Sequence, residues 1–217
     1  MQKVITIAHQ KGGVGKSTLA LNLAVELSKR YPLKVVDLDF QKSITIFNEN
    51  RMEAGLEPLD VVNVEDQKEL MRLIDNSGEL VLIDSGGFDS DLNRIALLGA
   101  DLVITPLSNN LIEVYGLESF KKILKDLKEV RSDIRSKVLL NNVHPKTQRA
   151  IDELREFIAA SSEYFDLFET VIRRRSAFAK SFEEGKSVVE MDDRSPASKE
   201  LNQLVQEIES IVISNER

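Results

Sequence analysis

Seven short apolar runs punctuate this sequence of 217 residues: KVITIA, LKVVDLD, LDVVNV, ELVLID, DLVITPL, SKVLLNNV and ETVI. Each is rich in Val, Ile and Leu and nearly continuous, whereas a strand with one wet face alternates apolar with polar. Continuous runs are what strands buried on both faces look like. The stretches between them carry helical patterns, starting at Gly15 and near Ser43, Glu65, Asp89, Val114 and Thr147, with a last one over roughly 195–214. Strand–helix alternation requires right-handed crossovers and parallel pairing. The expectation is therefore one α/β domain: a doubly wound, mostly parallel sheet with helices on both faces. No internal repeat, low-complexity tract or linker interrupts it.

The sequence has no cysteine, which removes disulfides, thiolate catalysis and Cys-ligated zinc or iron–sulfur centres. Its two histidines, His9 and His144, read as strand-end or loop side chains rather than a metal site. The opening MQKVITIA is not a basic segment followed by a long apolar one, and LALNLAVEL is broken by Asn22 and Glu26 and too short to span a bilayer. A soluble, cytoplasmic protein is expected. The formal charge of -7 argues only weakly against nucleic acid, because a basic patch can be local.

Sheets of this kind bind ligands beyond the carboxyl ends of their strands. Four polar clusters fall at such ends: residues 10–18, 37–41, 84–87 and 141–142. The first reads HQKGGVGKST from His9. The ordinary phosphate-loop pattern G-x-x-x-x-G-K-[ST] needs a glycine where Gln10 stands, and a second lysine, Lys11, follows directly. Gly12, Gly13 and Gly15, with Val14 among them, let the backbone curl its N–H groups toward phosphate oxygens, and the helix that follows adds its positive end. Lys16 supplies a point charge for the β- and γ-phosphates. The Ser17 hydroxyl is placed to ligate Mg²⁺, and Thr18 to reach the α-phosphate. Asp84 closes its strand where a carboxylate can hold Mg²⁺ through water. Asp37 and Asp39, two apart, leave one face of their strand. That face looks at the loop if the second strand neighbours the first, and the pair can then position Mg²⁺ waters and an attacking water. For Asp37 a strand-end cap is an equal alternative.

KGGVGKST, VVDLDFQKS and LVLIDSGG together resemble the ParA/MinD family of deviant Walker A ATPases, and the resemblance runs over nearly the whole chain. It implies ATP and Mg²⁺ as ligands, slow and partner-stimulated hydrolysis, and an ATP-dependent homodimer. In that family the lysine at the position of Lys11 reaches the partner's nucleotide across the dimer. Its charge would offset that of two buried nucleotides. Asp39 matches the acid that positions water, Asp84 the Walker B acid, and Asn142, with Asn141 beside it, the asparagine that reads adenine. Two departures stand out. The usual D-P-Q is Asp39-Phe40-Gln41, and the usual D-[TS]-P-P is Asp84-Ser85-Gly86-Gly87, which loosens that switch.

Within the family, the absent cysteines exclude the iron–sulfur members. The end, LVQEIESIVISNER, is acidic, with Arg217 its only base, unlike the Lys- and Arg-rich lipid-binding helix of MinD-like proteins. A membrane is therefore the runner-up target. The short chain is similar to the small ParA proteins of plasmids. By that resemblance Arg173, Arg174 and Arg175 fall where ParA proteins bind nonspecific DNA, so a nucleoid-associated ATPase working with a ParB-like adaptor is expected. Lys121, Lys125, Lys128 and Arg135 also share a helix face, but Glu118, Asp126, Glu129 and Asp133 interleave them, as on a solvated surface.

Overall fold

The computed structural model describes residues 3–108, 111–144 and 148–213. In chain order the elements are β1 (Lys3–Ile7), α1 (Lys16–Ser28), β2 (Leu33–Asp37), α2 (Ser43–Glu53), β3 (Asp60–Val62), α3 (Gln67–Asn76), β4 (Leu80–Asp84), α4 (Asp91–Leu98), β5 (Leu102–Leu107), α5 (Leu111–Leu127), β6 (Ser136–Val143), α6 (Gln148–Ala160), β7 (Phe165–Arg173), α7 (Ser176–Glu183), α8 (Val188–Met191) and α9 (Pro196–Val212). The strands form one seven-stranded sheet in the order β3-β2-β4-β1-β5-β6-β7, and every pairing is parallel.

The apolar runs are continuous because successive residues serve opposite faces. Ile5, Ile7, Val35, Leu80 and Leu82 pack with Leu21 and Leu23 of α1, Phe47 of α2 and Leu204 of α9. Their neighbours Val4, Val36, Val81 and Ile83 pack with Leu70 and Ile74 of α3 and Ala96 of α4. Under α5 and α6, Val103, Val138 and Leu140 meet Phe120, Leu124 and Leu154. Each such burial contributes roughly 1.5–3 kcal/mol.

Helix α1 is buried from Leu19 through Leu27 without a break. Asn22 and Glu26, which interrupt its hydrophobic run, are the sockets for the late segment. Asn22 Oδ1 accepts the Val188 amide at 2.9 Å, and Glu26 accepts the Ser187 hydroxyl. Helices α3 and α4 start on caps that their sequences carry: Asp66 accepts the Glu69 amide and Ser90 the Asn93 amide.

Three sequence expectations change. Strand β4, not β2, lies beside β1, so β2 faces the loop only across β4. The seventh strand begins at Phe165 rather than at Glu169, because α9 supports its edge. Glu207 accepts the amides of Glu169 and Thr170 at 2.9 and 3.1 Å, bonds that a neighbouring strand would otherwise provide. The late segment also holds the short helices α7 and α8, to which the apolar pattern gave no boundaries. The expected helix starts at Glu65, Asp89 and Val114 fall within three residues of those observed, while Thr147 lies outside the described residues.

Candidate nucleotide-binding site

The clusters meet at one edge because their strands end in register: Ile7 pairs with Asp84, and Asp84 with Asp37. From Ile7 the chain enters the glycine loop, and α1 begins at Lys16 with Gly15 as its N-cap at φ 90°. Gly15 is required twice over. Its backbone is left-handed, and a Cβ there would lie 2.6 Å from Asn141 Nδ2. That amide donates to the Val14 carbonyl at 2.9 Å. Asn141 is thus a clamp on the loop, and its NH₂ group is already engaged. Both asparagines line the neighbouring cavity, Asn142 exposed and at φ 55°.

Lys16 is buried, and its Nζ donates to the Lys11 carbonyl at 3.1 Å. Burial pushes its pKa down, and the carboxylates of Asp84 and Asp39 push it back up. Lys11 itself is half-buried, and its ammonium makes no hydrogen bond or ion pair among the described residues.

Asp84 is fully buried, and neither carboxylate oxygen has a hydrogen-bond partner. Burial pushes its pKa up to about 7. The Ser17 hydroxyl is near enough to pull it down without completing a bond, Asp37 and Asp39 push it up, and Lys16 pulls it down. A buried carboxylate with two orphaned oxygens costs several kcal/mol unless a cation serves it. That is the arrangement Mg²⁺ fits, with the Ser17 hydroxyl beside it. Among the described residues no group of three or more His, Asp or Glu side chains could hold a metal alone.

Asp37 also has a local task. One oxygen accepts the Asp39 amide at 3.1 Å and the other the Ile44 amide at 2.9 Å, so it pins the start of α2. Burial raises its pKa, and those amides work against the rise. Lys42, left-handed at φ 51°, closes the same turn by donating to the Asp37 carbonyl at 2.7 Å. Asp39 stays half-exposed, holding the Gln41 amide at 2.9 Å, and leaves Phe40 87% exposed.

A cavity of about 820 Å³ opens beside the loop, lined by Gly13, Gly15, Thr18, Asn141 and Asn142 together with Arg173, Arg174 and Arg175. The three arginines are not equivalent. Glu200 of α9, itself buried, accepts Arg173 Nη1 at 3.1 Å and Arg175 Nη2 at 2.7 Å, as well as the Arg173 amide at 3.0 Å. Burial pushes the Glu200 carboxyl up, but the two guanidiniums hold it below its ordinary value. Arg174 is exposed and makes no ion pair among the described residues. In the other basic stripe the shared helix face does not hold, because α5 ends at Leu127 before Lys128 and Arg135; Lys121 and Lys128 lie over the ring of Tyr164 at 5.4 and 5.6 Å. Glu200 had no sequence signal, since only the folded chain brings α9 to the end of β7.

A strand, a glycine loop, a helix N-terminus and a buried lysine–aspartate pair at the carboxyl edge of a parallel sheet define a nucleotide-binding domain of the P-loop class. More narrowly, the chain belongs to the ParA/MinD family, since residues 5–188 match the CobQ/CobB/MinD/ParA nucleotide binding domain. The chromosome-partitioning ATPase Soj of Thermus thermophilus is 30% identical over 239 residues, 94% of each chain. Protein ParA of Rhizobium radiobacter is 29% identical over 145 residues, and this chain spans only 65% of that protein. The crystal structure of a putative plasmid partition protein from Borrelia burgdorferi bound to AMPPNP has the same fold, with a TM-score of 0.71 at 21% identity, over 97% of this chain and 99% of that one.

Proposed function

We propose that this protein is a Mg²⁺-dependent ATPase that dimerises on ATP, binds DNA nonspecifically as a dimer, and drives partition of a DNA cargo with a ParB-like adaptor. The observation that carries the reading is the contrast between the two loop lysines. Lys16 is buried and bonded within the loop, whereas Lys11 is half-buried and its ammonium has no partner among the described residues. A second copy's nucleotide supplies the anion that Lys11 lacks.

In this reading the loop amides and Lys16 bind the β- and γ-phosphates, Thr18 the α-phosphate, and Asn142 the base in the cavity. Ser17 and Asp84 would hold Mg²⁺, which neutralises phosphate charge. Asp37 fixes the turn from which Asp39 orients the attacking water, and hydrolysis releases the dimer. Arg174 is the arginine free to meet a DNA phosphate, because DNA would have to compete with Glu200 for Arg173 and Arg175. The apolar face of α9, with Leu201, Leu204, Val205 and Ile208, is buried in the core and not available to lipid. Among the described residues no helix is long and apolar enough to cross a membrane.

Light scattering with and without ATP, run beside DNA binding at low salt, tests the reading. Wild type should dimerise and bind DNA only with ATP. Lys11→Ala should bind ATP yet stay monomeric and off DNA, and Asp39→Ala should form a dimer that hardly hydrolyses. A Lys11→Ala dimer as stable as wild type would overturn the role of Lys11. Absence of DNA binding by wild-type dimers would instead assign the cargo to a protein or a membrane.

A further inference from the structure

We propose that His9 is a positioning residue for Lys11: its imidazole, seated in a slot that a glycine at position 116 keeps open, fixes the main chain from which Lys11 projects. The inference rests on the reading of Lys11 as the contact to a second copy's nucleotide.

His9 lies two residues beyond the end of β1 and is 1% exposed. Its Nδ1 accepts the Lys11 amide at 2.9 Å. A ring nitrogen that accepts carries no proton, so the ring is neutral with its hydrogen on Nε2. Burial, together with the charges of Lys16 and Lys11, holds its pKa down at about 4, which keeps that acceptor available at neutral pH. The ring lies parallel to Phe120 of α5, 7° between planes and 6.4 Å between centroids.

The slot is closed against Gly116, inside α5. A glycine there costs the helix up to about 1 kcal/mol relative to alanine. Its backbone is not left-handed, so turn geometry does not ask for it. The imidazole does: a Cβ at position 116 would lie 2.7 Å from His9 Cε1, closer than carbon atoms pack. Propensity yields to the ring, and α5 is thereby coupled to the loop. Lys11 has a second tether, the Lys16 ammonium on its carbonyl. Phosphate competes for that ammonium, but it does not compete for Nδ1. With nucleotide bound, His9 is the tether that remains.

The alternative is that His9 merely fills space. Isosteres separate the two. In His9→Asn, Oδ1 can take the place of Nδ1 as acceptor. In His9→Gln the amide lies near Nε2, and His9→Leu has no acceptor. Loss of the acceptor leaves a half-buried donor unpaired, and we expect roughly tenfold weaker ATP-dependent dimerisation in His9→Leu and His9→Gln, with near wild-type dimerisation in His9→Asn. Binding of a fluorescent ATP analogue should be unchanged in all three. Gly116→Ala should behave like His9→Leu, and should be harmless in the His9→Asn background, where no ring atom meets the new methyl. The double variant keeps the test alive if His9→Leu fails to fold. Hydrogen exchange at the Lys11 amide gives a readout that filler would not move: protected in wild type and His9→Asn, fast in His9→Leu. Wild-type dimerisation and equal Lys11 protection in His9→Leu, beside a Lys11→Ala control that stays monomeric, would overturn the role of His9 alone. A Lys11→Ala control that dimerises would overturn the reading of Lys11, and the inference with it.

Discussion

The glycine loop and the arginine cluster treat charge in opposite ways. At the loop, Lys16 and Asp84 are buried with their charges incompletely matched, and among the described residues neither Asp84 oxygen has a full hydrogen-bond partner. In the cluster, Arg173 and Arg175 share the carboxylate of Glu200, which meets their charge from within the fold. Uncompensated interior charge is costly, so a fold that keeps it is built around a ligand that supplies the counter-charge. Compensated charge at the arginines holds an edge strand to a helix. By this contrast the loop keeps buried charge unmatched and the arginine cluster matches it, with Arg174 the exception.

The largest break in this contrast comes from Lys16→Ala. The loop has no other buried cation, so ATP affinity should fall by on the order of a hundredfold or more, as fits a charged interaction worth about 3 kcal/mol. Titration with a fluorescent ATP analogue measures it, and near wild-type affinity would remove the phosphate-loop assignment.

Asp84→Asn should act with opposite signs in the presence and absence of ligand. The folded-state pKa of Asp84, about 7, is raised above its ordinary 3.8, so the folded form holds a proton that the unfolded chain has lost. The stability this gives is complete below the ordinary value and is lost as pH rises through about 7. Nucleotide-free Asp84→Asn should therefore melt higher than wild type at pH 8, by up to a few kcal/mol, and should lose the Mg²⁺-dependent part of stabilisation by ATP. Melting curves with and without chelator decide it. An unchanged Mg²⁺ effect would take the metal away from Asp84.

Glu200→Gln sharpens the arginine side. Arg173 and Arg175 would lose their counter-charge, and the screened pair suggests a loss of about 1–2 kcal/mol, or roughly 2–8 °C in Tm, with ATP binding retained. Loss of ATP binding at unchanged Tm would make that cluster part of the chemistry.

The smallest expected effect on the fold is that of Arg174→Ala. Stability should stay within about 0.5 kcal/mol, while the slope of log K for DNA against log salt should drop by roughly 0.9 for each DNA phosphate that is no longer neutralised. Arg173→Ala serves as the comparison, with a larger stability change and a smaller change in slope. The reverse order would hand DNA binding to the paired arginines.

Much of this was legible in the sequence. The seven strands could be read because burial on both faces leaves long apolar runs, and the loop because only glycines and a lysine in that order make an anion cradle beside a helix. Local rules were enough for the caps at Asp66 and Ser90. The start of β7 was not legible, since Asp166 and Glu169 break its apolar pattern and the Glu207 carboxylate that satisfies its edge lies far along the chain. Nor could adjacent residues be told apart: Asn141 is buried and clamps Val14 while Asn142 is exposed, and among the described residues Arg173 and Arg175 are paired while Arg174 is not.

The sequence by itself determined the fold class, the phosphate loop and its two lysines, because periodicity, glycine and charge act over a few residues. The tertiary structure alone decided that β4 separates β1 from β2, that Asp37 pins a turn, that Glu200 meets the charge of two arginines, and that His9 rests against Gly116. Those facts depend on which side chains meet across separations of about 7 to over 100 residues, and such meetings follow from packing the whole core at once rather than from any local pattern.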